Sequence, residues 1–324
     1  MKERMRILIG YDGSPCADAA LDDLRRAGLP RDVEAVIFTV SEMWFTGPSN
    51  HESNGSVDRS SSSHGIVNSK TRQGQAATAF APVSDAASLA LAARARLQTR
   101  FPAWVIDMGE SSGSPSREIL KKAADLKPHL VVVGCHGRSA LGGFLLGSVS
   151  QKVVNEARCT VRVSRGTAWK DGSPVRIIIG LDGTAGSELA VNAVASRVWP
   201  TSSAVRLITA VDPNDRTVKV VSQKKNSPVV KPMNQEFAEK FMKDAARKLR
   251  GTLLSVSTRI EAGDPKRILI ADAEEWGADC IFLGASSADS LLDRFLLGNV
   301  ATAVVARAHC SVEVVRNGIN LPRD

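Results

Sequence analysis

The chain repeats itself, and that duplication restricts the folds open to it more than any other feature. MRILIGYDGS at 5–14 is matched by VRIIIGLDGT at 175–184. GSPSREILKKAADLKPHLVVVG at 113–134 is matched by GDPKRILIADAEEWGADCIFLG at 263–284, and FLLGSVSQKVVNEARCTVRVSR at 144–165 by FLLGNVATAVVARAHCSVEVVR at 295–316. The offset is 170 residues at the start of the repeat and 151 at its end. The difference falls in one place, a 41–82 loop that is longer than its counterpart from Asp212 to Pro232. The reading is therefore two copies of one domain, 1–166 with an expanded loop at 41–82 and 174–317, joined by a short Gly/Ser/Pro-containing stretch. At roughly 150 residues per domain, the length of 324 residues agrees.

Each copy has the same order of elements. RILIG is a continuous apolar run ending in a turn, the mark of a strand buried on both faces. Ser14 to Ala27 reads as a helix, with Ser14 as N-cap and Pro15 at the first helical position. A strand over Val33–Val40 precedes the polar 41–82 loop, which contains Ser60 to Ser63 and is expected to be mobile. A helix follows over Val83–Arg100, a strand over Ala103–Met108 and a helix over Ser116–Leu126. Leu130–Gly134 is an all-apolar strand, Gly147–Ala157 contains a helix, and Thr160–Ser164 is the last strand. Strands alternating with helices imply right-handed crossovers and a parallel sheet covered on both faces. The fold class is α/β, two tandem copies of a five-stranded parallel-sheet, Rossmann-like domain. In such sheets ligands bind beyond the carboxyl ends of the strands, here Tyr11-Asp12, Val40-Ser41, Gly109 and Gly134.

The segment LVVVGCHGRSALGGFLLGSVSQKV carries the strongest chemical signal. Gly134 ends a strand, Gly137 follows three residues later, and Gly147-Ser148 comes after nine more residues, where a helix begins. Glycines admit close backbone approach and positive φ. The unpaired N–H groups of a helix N-terminus attract an anion, and Arg138 could pair with phosphate oxygens. His136 is a candidate phosphate donor or general base, set against a plain reading as exposed loop polarity.

This pattern of Gly, two residues, Gly, nine residues, Gly-Ser resembles the nucleotide-binding class of the universal stress protein family, as does the strand followed by Asp12-Gly13-Ser14. The likeness covers nearly the whole chain outside the long loop, and the tandem arrangement resembles the family's two-domain members. It implies an adenine nucleotide alpha hydrolase-like domain that binds ATP, with or without Mg2+. By position, Asp12 and Gly13 would meet the sugar-phosphate part or an associated divalent ion, and the Val40 backbone would hold adenine. Gly134, His136, Gly137, Arg138, Gly147, Ser148 and Val149 would line ribose and phosphates. Gly134→Val is expected to abolish binding by filling the space that backbone approach requires. Copy two keeps Asp182, Gly183, Val211, Gly284 and Gly298, followed by Asn299 and Val300. Ser287 replaces Gly137, the spacer is one residue longer, and Asp289 and Asp293 add negative charge. Carboxylates near phosphate cost about 1 kcal/mol or more, so the second site is expected to be weaker or empty.

Other functions are disfavoured by residue content. The net charge of +8 comes from scattered positives, without the aromatic-basic stripe or zinc-finger spacing of a nucleic-acid binder. No stretch approaches the ~20 apolar residues of a membrane span. The five cysteines have no CxxC spacing, so neither a disulfide framework nor a metal site is expected, and a cytoplasmic location is the default. Cys159, Cys280 and Cys310 read as small buried hydrophobes. Gly109-Glu110-Ser111-Ser112-Gly113 matches the GxSxG nucleophile pattern, but copy two has no serine there, and His129 is badly placed for a triad. Gly142 to Gly147 followed by Ser148 has P-loop glycine spacing without the lysine. The expectation is therefore not an enzyme but an ATP-binding, regulatory stress-response protein with slow or no hydrolysis. The alternative is a nucleotide-free structural or interaction platform of the same fold. Assembly stays open between a homodimer and a complex with another protein. The last strands, Thr160–Ser164 and Ser311–Val315, lie where the resemblance implies the two copies pair about a pseudo-two-fold axis.

Overall fold

The computed structural model describes residues 4–41, 83–136, 146–165, 172–211, 235–285 and 297–317. The first copy contributes β1 (Met5–Gly10), α1 (Pro15–Asp23), β2 (Val33–Ser41), α2 (Val83–Arg100), β3 (Val105–Ser112), α3 (Pro115–Leu126), β4 (Leu130–Gly134), α4 (Ser148–Glu156) and β5 (Thr160–Ser164). The second contributes β6 (Arg176–Leu181), α5 (Ala185–Ala195), β7 (Ala204–Val211), α6 (Gln235–Leu249), β8 (Ser255–Ala262), α7 (Pro265–Trp276), β9 (Cys280–Gly284), α8 (Asn299–Arg307) and β10 (Ser311–Val315). Among the described residues no helix is long and apolar enough to cross a membrane.

All these strands join one sheet in the order β3-β2-β1-β4-β5-β10-β9-β6-β7-β8. Pairing is parallel within each copy, and helices cover both faces, as is usual for parallel sheets. The halves meet at an antiparallel β5–β10 pair, with Val163 opposite Val312, Arg162 opposite Glu313 and Val161 opposite Val314. With a repeat offset of 151 residues at this end of the chain, Arg162 and Glu313 are equivalent positions of the two copies. The pseudo-two-fold axis therefore passes between them. A symmetric pair of single copies would set one side chain against itself there, and duplication has allowed opposite charges instead.

Strand alternation gives the two faces of the sheet different interiors at this axis. On one face, under α3, α4, α7 and α8, a single apolar core runs from Leu8 and Phe38 through Val161 and Val163 to Val312, Val314 and Ile178. On the other face α1 and α2 cover one core and α5 and α6 another. Between those two cores lies a buried ionic network. Arg162 Nε donates to Asp23 Oδ2 at 2.7 Å and its Nη1 to Glu313 Oε2 at 3.2 Å. Arg197 donates to both oxygens of Glu313 and, through Nη1, to the Ala27 carbonyl at 2.7 Å. Arg162 and Glu313 are wholly buried. Burial opposes the charge on Arg162, but attraction to Asp23 outweighs it, so its pKa is raised and it stays protonated. Nearby, Arg26 pairs with Asp279 at 2.6 Å across the copies.

Most predicted elements appear with the same bounds or within a residue or two, among them β4 and β5. Two differ. The first helix stops at Asp23 and continues as a 3-10 turn over Leu24–Arg26, which carries Arg26 to the junction with copy two. Strand β3 does not end near Gly109 but runs to Ser112, because β2 is long enough to pair Val40 with Ser111 and Ser41 with Ser112. As an edge strand it tolerates a polar tail that reads as a loop. The 42–82 part of the expanded loop lies outside the described residues.

Candidate functional site

The strand order reverses between β1 and β4, and the crevice beyond their carboxyl ends is where α/β sheets bind ligands. The loop after β1 is built by local hydrogen bonds. Asp12 Oδ1 accepts from the Ser14 amide at 3.0 Å, Gly13 sits at φ 74°, and Ser14 Oγ accepts from Ala17 N at 3.1 Å as the N-cap of α1. Gly13 occupies a left-handed conformation that costs other L-residues energy. Asp12 thus caps the turn, whatever else it touches. Ser14 Oγ also reaches the His136 carbonyl at 3.5 Å, tying this turn to the one after β4.

The turn after β4 closes on α4. The Gly147 amide donates to the Cys135 carbonyl at 2.8 Å, and Ser150 Oγ donates to the Gly134 carbonyl at 2.5 Å. Gly147 is the N-cap of α4, with exposed Ser148 and then Val149 in the first turn. Two helix N-termini, those of α1 and α4, therefore converge on one rim. The first N–H groups of a helix have no intrahelical acceptor, and the helix dipole places partial positive charge there. Val40 is at the carboxyl end of β2, the neighbouring strand, packed against the continuous core. Gly137 and Arg138 lie outside the described residues.

Gly134 is needed for a reason other than the one expected. A β-carbon there would stand 3.0 Å from the backbone carbonyl of Cys16 and 3.2 Å from Ala17 N. The glycine lets α1 close onto β4 rather than leaving room for a ligand. Gly284 is tighter still, since its β-carbon would overlap the Gly186 carbonyl and lie 2.6 Å from Ser187 N.

Copy two repeats the frame. Asp182 Oδ1 accepts from Thr184 N at 3.0 Å and from Thr184 Oγ1 at 2.6 Å, and Gly183 sits at φ 75°. Gly298 caps α8, which opens with Asn299 and Val300, and Val211 ends β7. Ser287, Asp289 and Asp293 are outside the described residues.

Ser111 is no nucleophile elbow. It lies within β3, and its hydroxyl donates to Glu118 Oε2 at 2.7 Å. His129 is buried and structural, its Nδ1 accepting from Arg6 N at 3.0 Å.

Tyr11, the chain's single tyrosine, leads into the site. Its hydroxyl donates to Asp18 Oδ1 at 2.7 Å. Burial, and next the bond to Asp18, push its pKa up to about 12. The folded phenol holds its proton more tightly than the unfolded one, so this contribution to stability is full below pH 10.0 and is lost as pH rises toward 12. With one tyrosine, the ultraviolet phenolate band reports it alone. We expect that titration near 12 in the folded protein, and an Asp18→Asn variant moving back toward the ordinary value.

Cysteine spacing signals no cluster, yet the fold makes one. Cys16 in α1 and Cys135 after β4 lie with sulfurs 3.6 Å apart, and His136 Nδ1 is 3.2 Å from Cys135 Sγ. His136 is half-buried, with Nε2 enclosed and without a hydrogen-bond partner among the described residues, rather than a solvated loop histidine. Burial, followed by the nearness of Cys16, pushes the Cys135 thiol up to about 11. Cys159, Cys280 and Cys310 are buried thiols, as expected.

Comparison with known proteins places this frame. The model of the universal stress protein family matches residues 3–165 and again 175–316. A universal stress protein of Mycobacterium tuberculosis is 42% identical over 87 residues, 26% of this chain and 29% of the relative, so the match spans less than a third of that protein's length. A Staphylococcus haemolyticus relative is 28% identical over 149 residues, 46% of this chain and 87% of its own. The crystal structure of a universal stress protein from Archaeoglobus fulgidus superposes with a TM-score of 0.59 at 18% identity, covering 97% of this chain and 98% of that one. At that identity the likeness shows the fold.

Proposed function

This chain belongs to the universal stress protein family, and from that premise we propose that copy one is a binding module for an adenine nucleotide, ATP. The observation that carries the reading is the convergence of two helix N-termini and the Asp12 turn beyond β1 and β4, where the strand order reverses. The amides of Ser148 and Val149, with the Ser148 hydroxyl, face the phosphates. Asp12 orients the sugar-phosphate part or a Mg2+ ion, and the Val40 backbone meets the adenine edge. Gly134 acts indirectly, by letting α1 approach closely enough for its N-terminus to share the rim. Gly137 and Arg138 complete the set by resemblance. The bound nucleotide supplies polyanionic charge that this positive rim stabilises.

The nucleotide serves as a regulatory ligand of a cytoplasmic stress-response protein, with slow or no hydrolysis. The P-loop lysine is absent from the sequence. His136, the nearest base candidate, is engaged with Cys135. A ligand that binds only the folded state stabilises it by about 2.7 kcal/mol at a hundredfold excess over Kd. Copy two, with Asp182, Gly183, Val211, Gly284, Gly298, Asn299 and Val300 in the equivalent places, binds weakly or not at all.

The test is the nucleotide content of freshly purified protein, measured by its ultraviolet spectrum and by acid release with chromatography, before and after saturation with ATP. One adenine nucleotide per chain is expected. Two per chain would overturn the asymmetry between copies. None would favour the nucleotide-free platform, a reading supported by the β5–β10 pair that already joins the two copies into one sheet.

A further inference from the structure

The geometry around Cys16, Cys135 and His136 points to a cation site, and we propose that these three residues bind a thiophilic divalent cation of the zinc class where α1 meets β4. The inference does not depend on the nucleotide reading. The three donor atoms all lie within 4.8 Å of one another, although Cys16 and Cys135 are 119 residues apart in sequence. A zinc-class ion with metal–sulfur bonds of about 2.3 Å in tetrahedral geometry holds two sulfurs about 3.8 Å apart. The observed separation of 3.6 Å is close to that value and far from the ~2.05 Å of a disulfide bond. The same geometry sets sulfur and imidazole nitrogen about 3.6 Å apart, against 3.2 Å between Cys135 Sγ and His136 Nδ1.

The surroundings suit a ligand set better than a packing cluster. Neither nitrogen of His136 is committed to a carboxylate or carbonyl among the described residues: Nδ1 faces a thiol and enclosed Nε2 has no partner. An enclosed imidazole nitrogen left without a partner is costly, and a role as metal ligand accounts for the ring's position beside two sulfurs. Binding would displace one proton from each thiol to solvent. Two thiolates and a dication sum to no net charge, so burial of the filled site carries no unbalanced ion. The duplication supplies an internal contrast, since copy two has Gly186, Ala285 and Ser286 at the equivalent positions. The frame of the fold therefore does not require these three side chains.

The test uses the full chain, reduced, stripped with chelator and kept free of nucleotide, titrated with Zn2+ against a colorimetric competitor and separately with Co2+. We expect one equivalent bound and a thiolate-to-cobalt charge-transfer band in the near ultraviolet. Cys16→Ser and Cys135→Ser should each weaken binding by ~100-fold or more and remove the band, and His136→Ala should weaken it by at least ~10-fold. Because Cys135→Ser removes a buried group, a second measurement uses the unaltered chain. Zn2+ should protect Cys16 and Cys135 from alkylation and leave the labelling of Cys159, Cys280 and Cys310 unchanged. The proposal is overturned by absence of stoichiometric binding, by binding in both cysteine variants as tight as in the unaltered chain, or by a reduced pair that ignores Zn2+ yet forms a disulfide with a mild oxidant. None of these outcomes bears on nucleotide stoichiometry, which is measured separately.

Discussion

Glu313→Ala is expected to lower the unfolding free energy by about 3–5 kcal/mol, because it strands charges in a place that water does not reach. Glu313 is wholly buried at the pseudo-two-fold axis and accepts hydrogen bonds from Arg162 and Arg197. Without it, Arg162 keeps Asp23, but Arg197 keeps only the Ala27 carbonyl among these partners. Breaking a buried pair from one side is far more damaging than replacing the whole group with apolar residues. Arg4→Ala provides the contrast. Arg4 and Asp32 are 2.9 Å apart, but their side chains are 46% and 58% exposed, and exposed pairs contribute at most about 1 kcal/mol. Urea unfolding of both variants checks the prediction. A Glu313→Ala loss no larger than that of Arg4→Ala would show that the network does not hold the copies together.

Gly284→Ala is expected to cost about 3 kcal/mol or more, at or above the upper end of ordinary overpacking. Its new methyl group would collide with the Gly186 carbonyl and sit 2.6 Å from Ser187 N. These are backbone atoms, which cannot rotate away as a side chain can. The first turn of α5 must therefore lift from β9. At Gly134 the nearest atoms are 3.0 Å away, so Gly134→Ala should cost less, about 1–2 kcal/mol. Thermal or urea unfolding of the two variants side by side should preserve this order. Equal, small losses would mean that the helix N-termini are not seated against the strand ends, and the positive rim would lose its structural basis.

The pattern of glycines marks the turns beyond β4 and β9, but glycine content alone does not distinguish a ligand's space from a helix's. At Gly134 and Gly284 the missing side chain faces the backbone of α1 and of α5, the first helix of each copy, a contact between residues more than 90 positions apart. The polar tail of β3 was equally opaque. GESS lacks an apolar period, and only pairing with β2 makes it a strand. Arg162 and Glu313 are the charged members of TVRVS and SVEVV, residue types that are ordinarily exposed. Antiparallel pairing buries them against Asp23 and Arg197 instead.

The duplication, the alternation of strands and helices, and the turns at Asp12 and Asp182 were legible in the residues themselves. Each depends on local physics: apolar periodicity, capping and the conformational freedom of glycine act over a few neighbours. The buried ionic network between the copies, the helix backbone that Gly134 meets, and the way Cys16 comes to face Cys135 and His136 depend instead on distant segments meeting across one sheet. Spacing along the chain carries no record of such meetings, because strand order places β1 beside β4 and β5 beside β10 whatever the number of residues between them.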